Sequence, residues 1–267
     1  MMRSRNSKIL FGVIIGAIIV STPIILLMFP AQPTNEIKVK LLMTAGVMIE
    51  ARGVRIYIDP YFIPSNYTDL PADVILITHP HDDHYSPSDI EDILTNDTLF
   101  VCPNNMTDAI DRFDGLGVDP GDSFLVDGIN ITAFHMYMPD YDSGLDSGHP
   151  QTHNWTSFII EIDGFRIYHA GDAKYMEELT EISDTIDLAF LPIYWDPGFG
   201  PLNASLLPIV DSIDLLRPKT TIPTHFFDLY RETFISEYSI LVENPDCEIL
   251  NLEYWTTLTF ENDGNDM

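Results

Sequence analysis

From Ile9 to Phe29 the chain runs 21 residues without a charge, apolar on every side; every later apolar stretch is short and broken by polar positions. That first run is long enough to cross a bilayer as a helix. Arg3, Arg5 and Lys8 precede it, and the next charge is Glu36. The positive-inside rule then predicts a cytoplasmic N-terminus, with everything after Pro30 outside. A cleaved signal peptide would have a shorter apolar region and a small-x-small site, and neither is present. The expected layout is a single-pass anchor in residues 1–30 (helix about 9–29), a linker at 31–36, one domain at 37–261 and a short acidic tail at 262–267.

Beyond the linker, strand-like and helix-like segments alternate. Strands are predicted at Lys38–Thr44, Val54–Ile58, Asp73–Thr78, Ile129–His135, Ser157–Ile162, Phe165–His169, Leu188–Leu191 and Thr220–Pro223. Asp163-Gly164 reads as the turn of a hairpin. Helices are predicted at Asn104–Arg112, Lys174–Ile182, Ala204–Leu216 and Arg231–Val242. A further helix starts at Ser86, with Ser86 as its cap, Pro87 in its first turn and Asp89 at the positive end of its dipole. Mixed elements in this order predict a layered α/β domain with helices covering its sheets.

Composition refines this picture. All 41 acidic residues but only 10 of the 13 basic ones lie beyond residue 29. A surface so acidic repels phosphate backbones, so nucleic acid is not an expected partner, and anionic lipid headgroups are disfavoured. The simplest role of the charge is solubility. Cys102 and Cys247 could pair outside the cell, but sequence does not bring them together. Asn-x-Ser/Thr triplets at Asn66, Asn96, Asn105, Asn130, Asn154 and Asn203 fit an exported domain.

The chemistry concentrates in T-H-P-H-D-D-H, Thr78 to His84, which spends three of the chain's 8 histidines. It follows a predicted buried strand directly, and the ends of such strands carry ligand sites in α/β folds. Imidazole and carboxylate are the ligands that zinc, manganese and iron prefer. In an extended segment His79 and His81 point the same way and can share one ion, while Asp83 and His84 can face a second. A pattern H-x-H-x-D-H arises by chance about once in a thousand such chains.

This motif resembles the signature of the metallo-β-lactamase fold superfamily. Its companions follow in order: Asp59 in I-Y-I-D-P-Y-F, His135 in I-T-A-F-H-M, Asp172 in I-Y-H-A-G-D-A and His225 in T-I-P-T-H-F. The stretches F-R-I-Y-H-A-G-D, L-P-I-Y-W-D-P-G-F-G-P-L-N-A and R-P-K-T-T-I-P-T-H-F are similar to a compact branch. That branch includes ascorbate-6-phosphate lactonase-like and N-acyl-phosphatidylethanolamine phospholipase D-like proteins. The resemblance implies an αβ/βα four-layer sandwich behind the N-terminal transmembrane helix. It implies two divalent ions, zinc before manganese or iron. His79, His81 and His135 would hold one ion, Asp83, His84 and His225 the other, and Asp172 would bridge them. Asp83 and Asp172 are the implied catalytic residues. Asp59 would orient a ligand imidazole, and His169 would support the centre from behind.

A hydroxide between the two ions would then attack an ester, lactone, amide or phosphodiester. The substrate would be a small molecule or a lipid. His149 and His153 flank the polar loop D-S-G-L-D-S-G-H-P-Q-T-H-N-W; His153, Tyr194 and Trp195 are candidate substrate contacts. Two positions depart from the family pattern. Thr44-Ala45-Gly46 stands where many members carry Gly-His, and Ala173 replaces the usual Thr. The alternatives are a metal-binding sensor without catalysis and an iron-dependent redox enzyme on the same fold. Oligomeric state is open.

Overall fold

A computed structural model describes residues 36–139, 148–194 and 202–261. The apolar run at 9–29 and the tail at 262–267 lie outside these residues. Among the described residues no helix is long and apolar enough to cross a membrane.

The domain is built on two seven-stranded sheets. The first contains β1 (Glu36–Leu41), β2 (Val47–Ala51), β3 (Val54–Ile58), β4 (Val74–Leu76), β5 (Leu99–Pro103), β6 (Leu116–Val118) and, from the far end of the chain, β14 (Thr257–Glu261). Its order is β14-β1-β2-β3-β4-β5-β6. The second contains β7 (Ser123–Val126), β8 (Ile129–Met136), β9 (Trp155–Ile162), β10 (Phe165–His169), β11 (Leu188–Pro192), β12 (Thr220–Thr224) and β13 (Glu248–Ile249). Its order is β13-β12-β11-β10-β9-β8-β7. Each sheet is antiparallel at its hairpins and parallel where helices cross over, β3 to β6 and β10 to β13.

Strand periodicity sorts the first sheet's side chains into two cores. Ile56 and Ile58 of β3, Val74 and Leu76 of β4 and Val101 of β5 join the core shared with the second sheet. Tyr57, Ile75, Phe100 and Cys102 face the other way and form a second core. That core also takes Ile90 and Ile93 of α1 (Pro87–Ile93) and Ala109 of α2 (Thr107–Phe113). Beyond β11, α3 (Leu202–Leu216) buries Leu206, Ile209, Ile213 and Leu216 on one stripe, and these extend the main core. Helices therefore flank paired sheets, as an αβ/βα sandwich requires.

Several local expectations shift. The first strand stops at Leu41 because Gly46 N–H closes a tight turn on Met43 O at 2.8 Å and Thr44 takes a φ of 52°. Residues 47–51 then return as β2, a strand of their own. Ser86 makes no capping hydrogen bond for α1. Asp89 instead accepts from the Phe62 and Ile63 amides at 3.1 and 2.9 Å, tying the helix to the loop after β3. The segment predicted as a helix from Lys174 is a 3-10 stretch from Glu177 to Ile182. The last helix begins earlier, as α4 (Asp228–Thr233), and widens into a π turn over Phe234–Tyr238. The Asp163-Gly164 turn stands where expected, with φ of 49° and 88°.

Candidate metal centre

The motif leaves β4 at its C-terminal end and is gripped from behind by one carboxylate. Asp59, fully buried just after β3, accepts from Thr78 N–H at 2.8 Å through Oδ1. Its Oδ2 accepts from the Thr78 hydroxyl at 2.7 Å and from His84 Nδ1 at 2.8 Å. Because the Thr78 proton goes to Asp59, its oxygen receives the Nδ1 proton of His79, 2.9 Å away. His79 thus carries its proton on Nδ1, and both rings turn Nε2 into the site.

Two groups of ligand atoms form there. His79, His81, His149 and Asp172 make the first; Asp83, His84 and His225 make the second. In the first, His79 Nε2 stands 3.1 Å from His81 Nδ1 and 3.3 Å from His149 Nε2. Asp172 Oδ2 lies 3.2 Å from His149 Nε2 and 3.9 Å from His79 Nε2. In the second, His225 Nε2 lies 3.0 Å from Asp83 Oδ2. The other Asp172 oxygen, Oδ1, is 3.1 Å from His84 Nε2 and 3.4 Å from His225 Nε2. One carboxylate therefore offers an oxygen to each group.

Asp172 reaches this position through Gly171, whose φ is +58°. A Cβ there would come within 2.9 Å of Thr78 Cβ, so the two loops meet only because residue 171 has none. His169, fully inside the fold, holds the same corner. Its Nε2 donates to Ala45 O at 2.7 Å, and its Nδ1 accepts from Gly171 N–H at 3.1 Å. Thr44 closes the opposite side: its hydroxyl lies 2.9 Å from Asp83 O, and its own carbonyl accepts from His225 N–H at 2.8 Å. The T-A-G variation thus fastens both flanks of the second group. Tyr254 stacks on Phe226 at 4.4 Å and bonds both its amide and its carbonyl, steadying the chain just past His225.

The electrostatics fit a cation. Burial drives the His79 pKa well below its ordinary value, and the neighbouring His84 adds to this, so its ring is neutral and able to ligate. His81 is lowered for the same first reason, with His149 adding to it. His84 moves the opposite way: burial lowers it, but the Asp172 and Asp59 carboxylates draw it well above its ordinary range. Burial would raise Asp172, yet the neighbouring His225 and His84 rings hold it well below the usual carboxylate range. Asp83 is also lowered, its burial outweighed by the His225 ring beside it and by His84. His84 Nε2, His225 Nε2 and Asp172 Oδ1 are buried without a hydrogen-bond partner. Buried polar atoms are rarely orphaned, and three converging ones are what a divalent ion satisfies.

The structure brings together His79, His81, Asp83, His84, Asp172 and His225, with Asp59 behind them. It does not bring in His135. That residue lies half-buried near the end of β8, outside both groups; its ring meets Phe134 and its carbonyl accepts from Ser157 Oγ at 2.7 Å. His149 takes the expected place. Met138 N–H donates to His149 O at 2.9 Å, and this pairing holds the His149 ring 4.9 Å from that of His79. Trp155 had no sequence signal beyond its place in that polar loop. It packs on His79 and His81 with ring centroids 5.2 Å apart in each case. His153 is exposed and reaches the centre only through Trp155, 4.5 Å away. Tyr194 lies against the His225 ring at 4.9 Å. Trp195 lies outside the described residues.

Comparison with known proteins agrees with this geometry. A family model described as a β-lactamase superfamily domain matches residues 38–225. A UPF0173 metal-dependent hydrolase of Thermococcus onnurineus is 32% identical over 203 residues, 71% of this chain and 84% of the relative. One from Bacillus velezensis is 30% identical over 218 residues, 75% and 86% of the two chains. A metallo hydrolase from Ignicoccus hospitalis shares the fold, with a TM-score of 0.65 at 22% identity over 85% of this chain and all of its own. The chain belongs to the β-lactamase superfamily, as a metal-dependent hydrolase.

Proposed function

We propose that the protein is a dinuclear hydrolase that opens an ester, lactone, amide or phosphodiester. His79, His81, His149 and Asp172 Oδ2 would hold one divalent ion; Asp83, His84, His225 and Asp172 Oδ1 would hold the other. Zinc suits the mixed imidazole and carboxylate set best, with manganese or iron as substitutes. The observation that carries this reading is the division of Asp172 between two ligand groups. Bound ions would supply an activated water and a counter-charge for the developing oxyanion.

The chain's own residues do the rest. Asp59 and Thr78 orient the His79 and His84 imidazoles. Asp83, whose side chain is 38% exposed at the edge of the second group, is placed to accept the proton of an attacking water. Tyr194, beside His225, and His153, beyond Trp155, would serve as substrate contacts. The uncharged run at 9–29 supports a membrane-anchored enzyme with its domain outside the cytoplasm, acting on a small molecule or a lipid. The test is a hydrolysis screen of the purified full chain on esters, lactones, amides, phosphodiesters and phospholipids. Turnover should vanish with chelator and return with zinc or manganese. Turnover indifferent to chelator, or none on any substrate, would sink the proposal.

A further inference from the structure

We infer that Lys174 makes the centre selective for substrates that carry an anionic oxygen group, carboxylate or phosphate, beside the bond to be cut. This rests on the hydrolase reading above and deepens it. Ten lysines and arginines lie between residues 36 and 261, and only Lys174 and Arg231 are buried. Arg231 has a carboxylate, Asp228, at 3.5 Å and a carbonyl, Leu252 O, at 2.9 Å. Lys174 has no such partner: among the described residues no carboxylate pairs with it, and its Nζ makes one hydrogen bond, to Tyr194 O at 3.0 Å.

Burying an ammonium without a counter-ion costs several kcal/mol. An apolar side chain there would avoid that cost. Lys174 follows the shared carboxylate by two residues, and its Nζ lies 6.0 Å from the Tyr194 ring, which itself rests on His225. A buried positive charge is thus held at Tyr194, on the His225 side of the centre. A cation in a low-dielectric wall attracts a substrate anion far more strongly than one in water. The rest of the molecule is acidic, so this wall would distinguish anionic substrates at the site alone.

The test compares the metal-loaded full chain with Lys174→Met and Lys174→Arg on a matched pair, phenyl acetate and the monophenyl ester of succinic acid. We expect Lys174→Met to lower kcat/KM for the anionic ester about tenfold, mainly through KM, and to leave the neutral ester within about twofold. Lys174→Arg should restore most of the preference. Metal content should be unchanged, and the melting temperature of Lys174→Met should be equal or higher, because a buried charge has been removed. Equal losses on both esters, or no loss on either, would overturn the inference. Should wild type cleave neither ester, the hydrolase reading has failed for esters. Calorimetric binding of inorganic phosphate then decides the role of Lys174: about tenfold weaker binding in Lys174→Met supports it, and equal binding refutes it.

Discussion

Asp172 is the residue on which the centre turns, because its two oxygens face separate imidazole groups. Most of its surroundings are legible in the chain. T-H-P-H-D-D-H announces chemistry by residue type alone, whereas the Asp after β3 and the G-D and T-H pairs stand out only through the resemblance of their order to a known fold superfamily. The third histidine is not legible. His135 and His149 are both single imidazoles near one strand, and only the pairing of Met138 with His149 decides which ring reaches His79. His149→Ala should therefore lose one ion and at least about a hundredfold in activity, whereas His135→Ala should stay within about threefold. Elemental analysis beside a rate assay separates the two outcomes. Gly171→Ala tests the corner itself. A Cβ at a φ of +58° pressing on Thr78 should cost more than about 2 kcal/mol in a urea titration. A neutral result would mean that the Thr78 and Gly171 loops are not in the contact described.

At the scale of elements, the strands that face the main core announce themselves, since β3 and β11 carry dense, largely buried apolar runs and β8 opens with apolar and polar positions in alternation. The edges do not. β7 and β14 set half-buried Phe124, Val126, Leu258 and Phe260 between exposed positions, and strands of four and five residues are too short for that alternation to stand out. The widened turn after α4 is equally silent, because residues 234–238 keep a helical composition. One buried strand residue makes a testable signature. Burial pushes the Cys102 thiol on β5 up to about 12 from an ordinary 9.0. The unfolded chain then loses this proton first as pH rises. The stability contributed is complete below about pH 9 and is lost progressively toward pH 12. Denaturant midpoints should fall across that window, and Cys102→Ala should make the fall shallower. An identical slope in the variant would show that the thiol is not sealed in the second core.

For the whole molecule, charge and hydropathy say what the described residues cannot. The run at 9–29 is the only uncharged stretch of membrane-spanning length, and the domain beyond it is strongly acidic. Full-length protein should stay with membranes through an alkaline carbonate wash and leave them only in detergent; release by the wash would remove the anchor from the account. The domain itself combines a fold that the order of apolar segments foreshadowed with a site that only three dimensions could complete. Its central claim is that one carboxylate joins two cations. Metal analysis of the purified full chain after exhaustive dialysis tests it most directly. The account predicts two divalent ions per chain in wild type and loss of at least one in Asp172→Ala; a single ion or none in wild type, or two retained in Asp172→Ala, would contradict it.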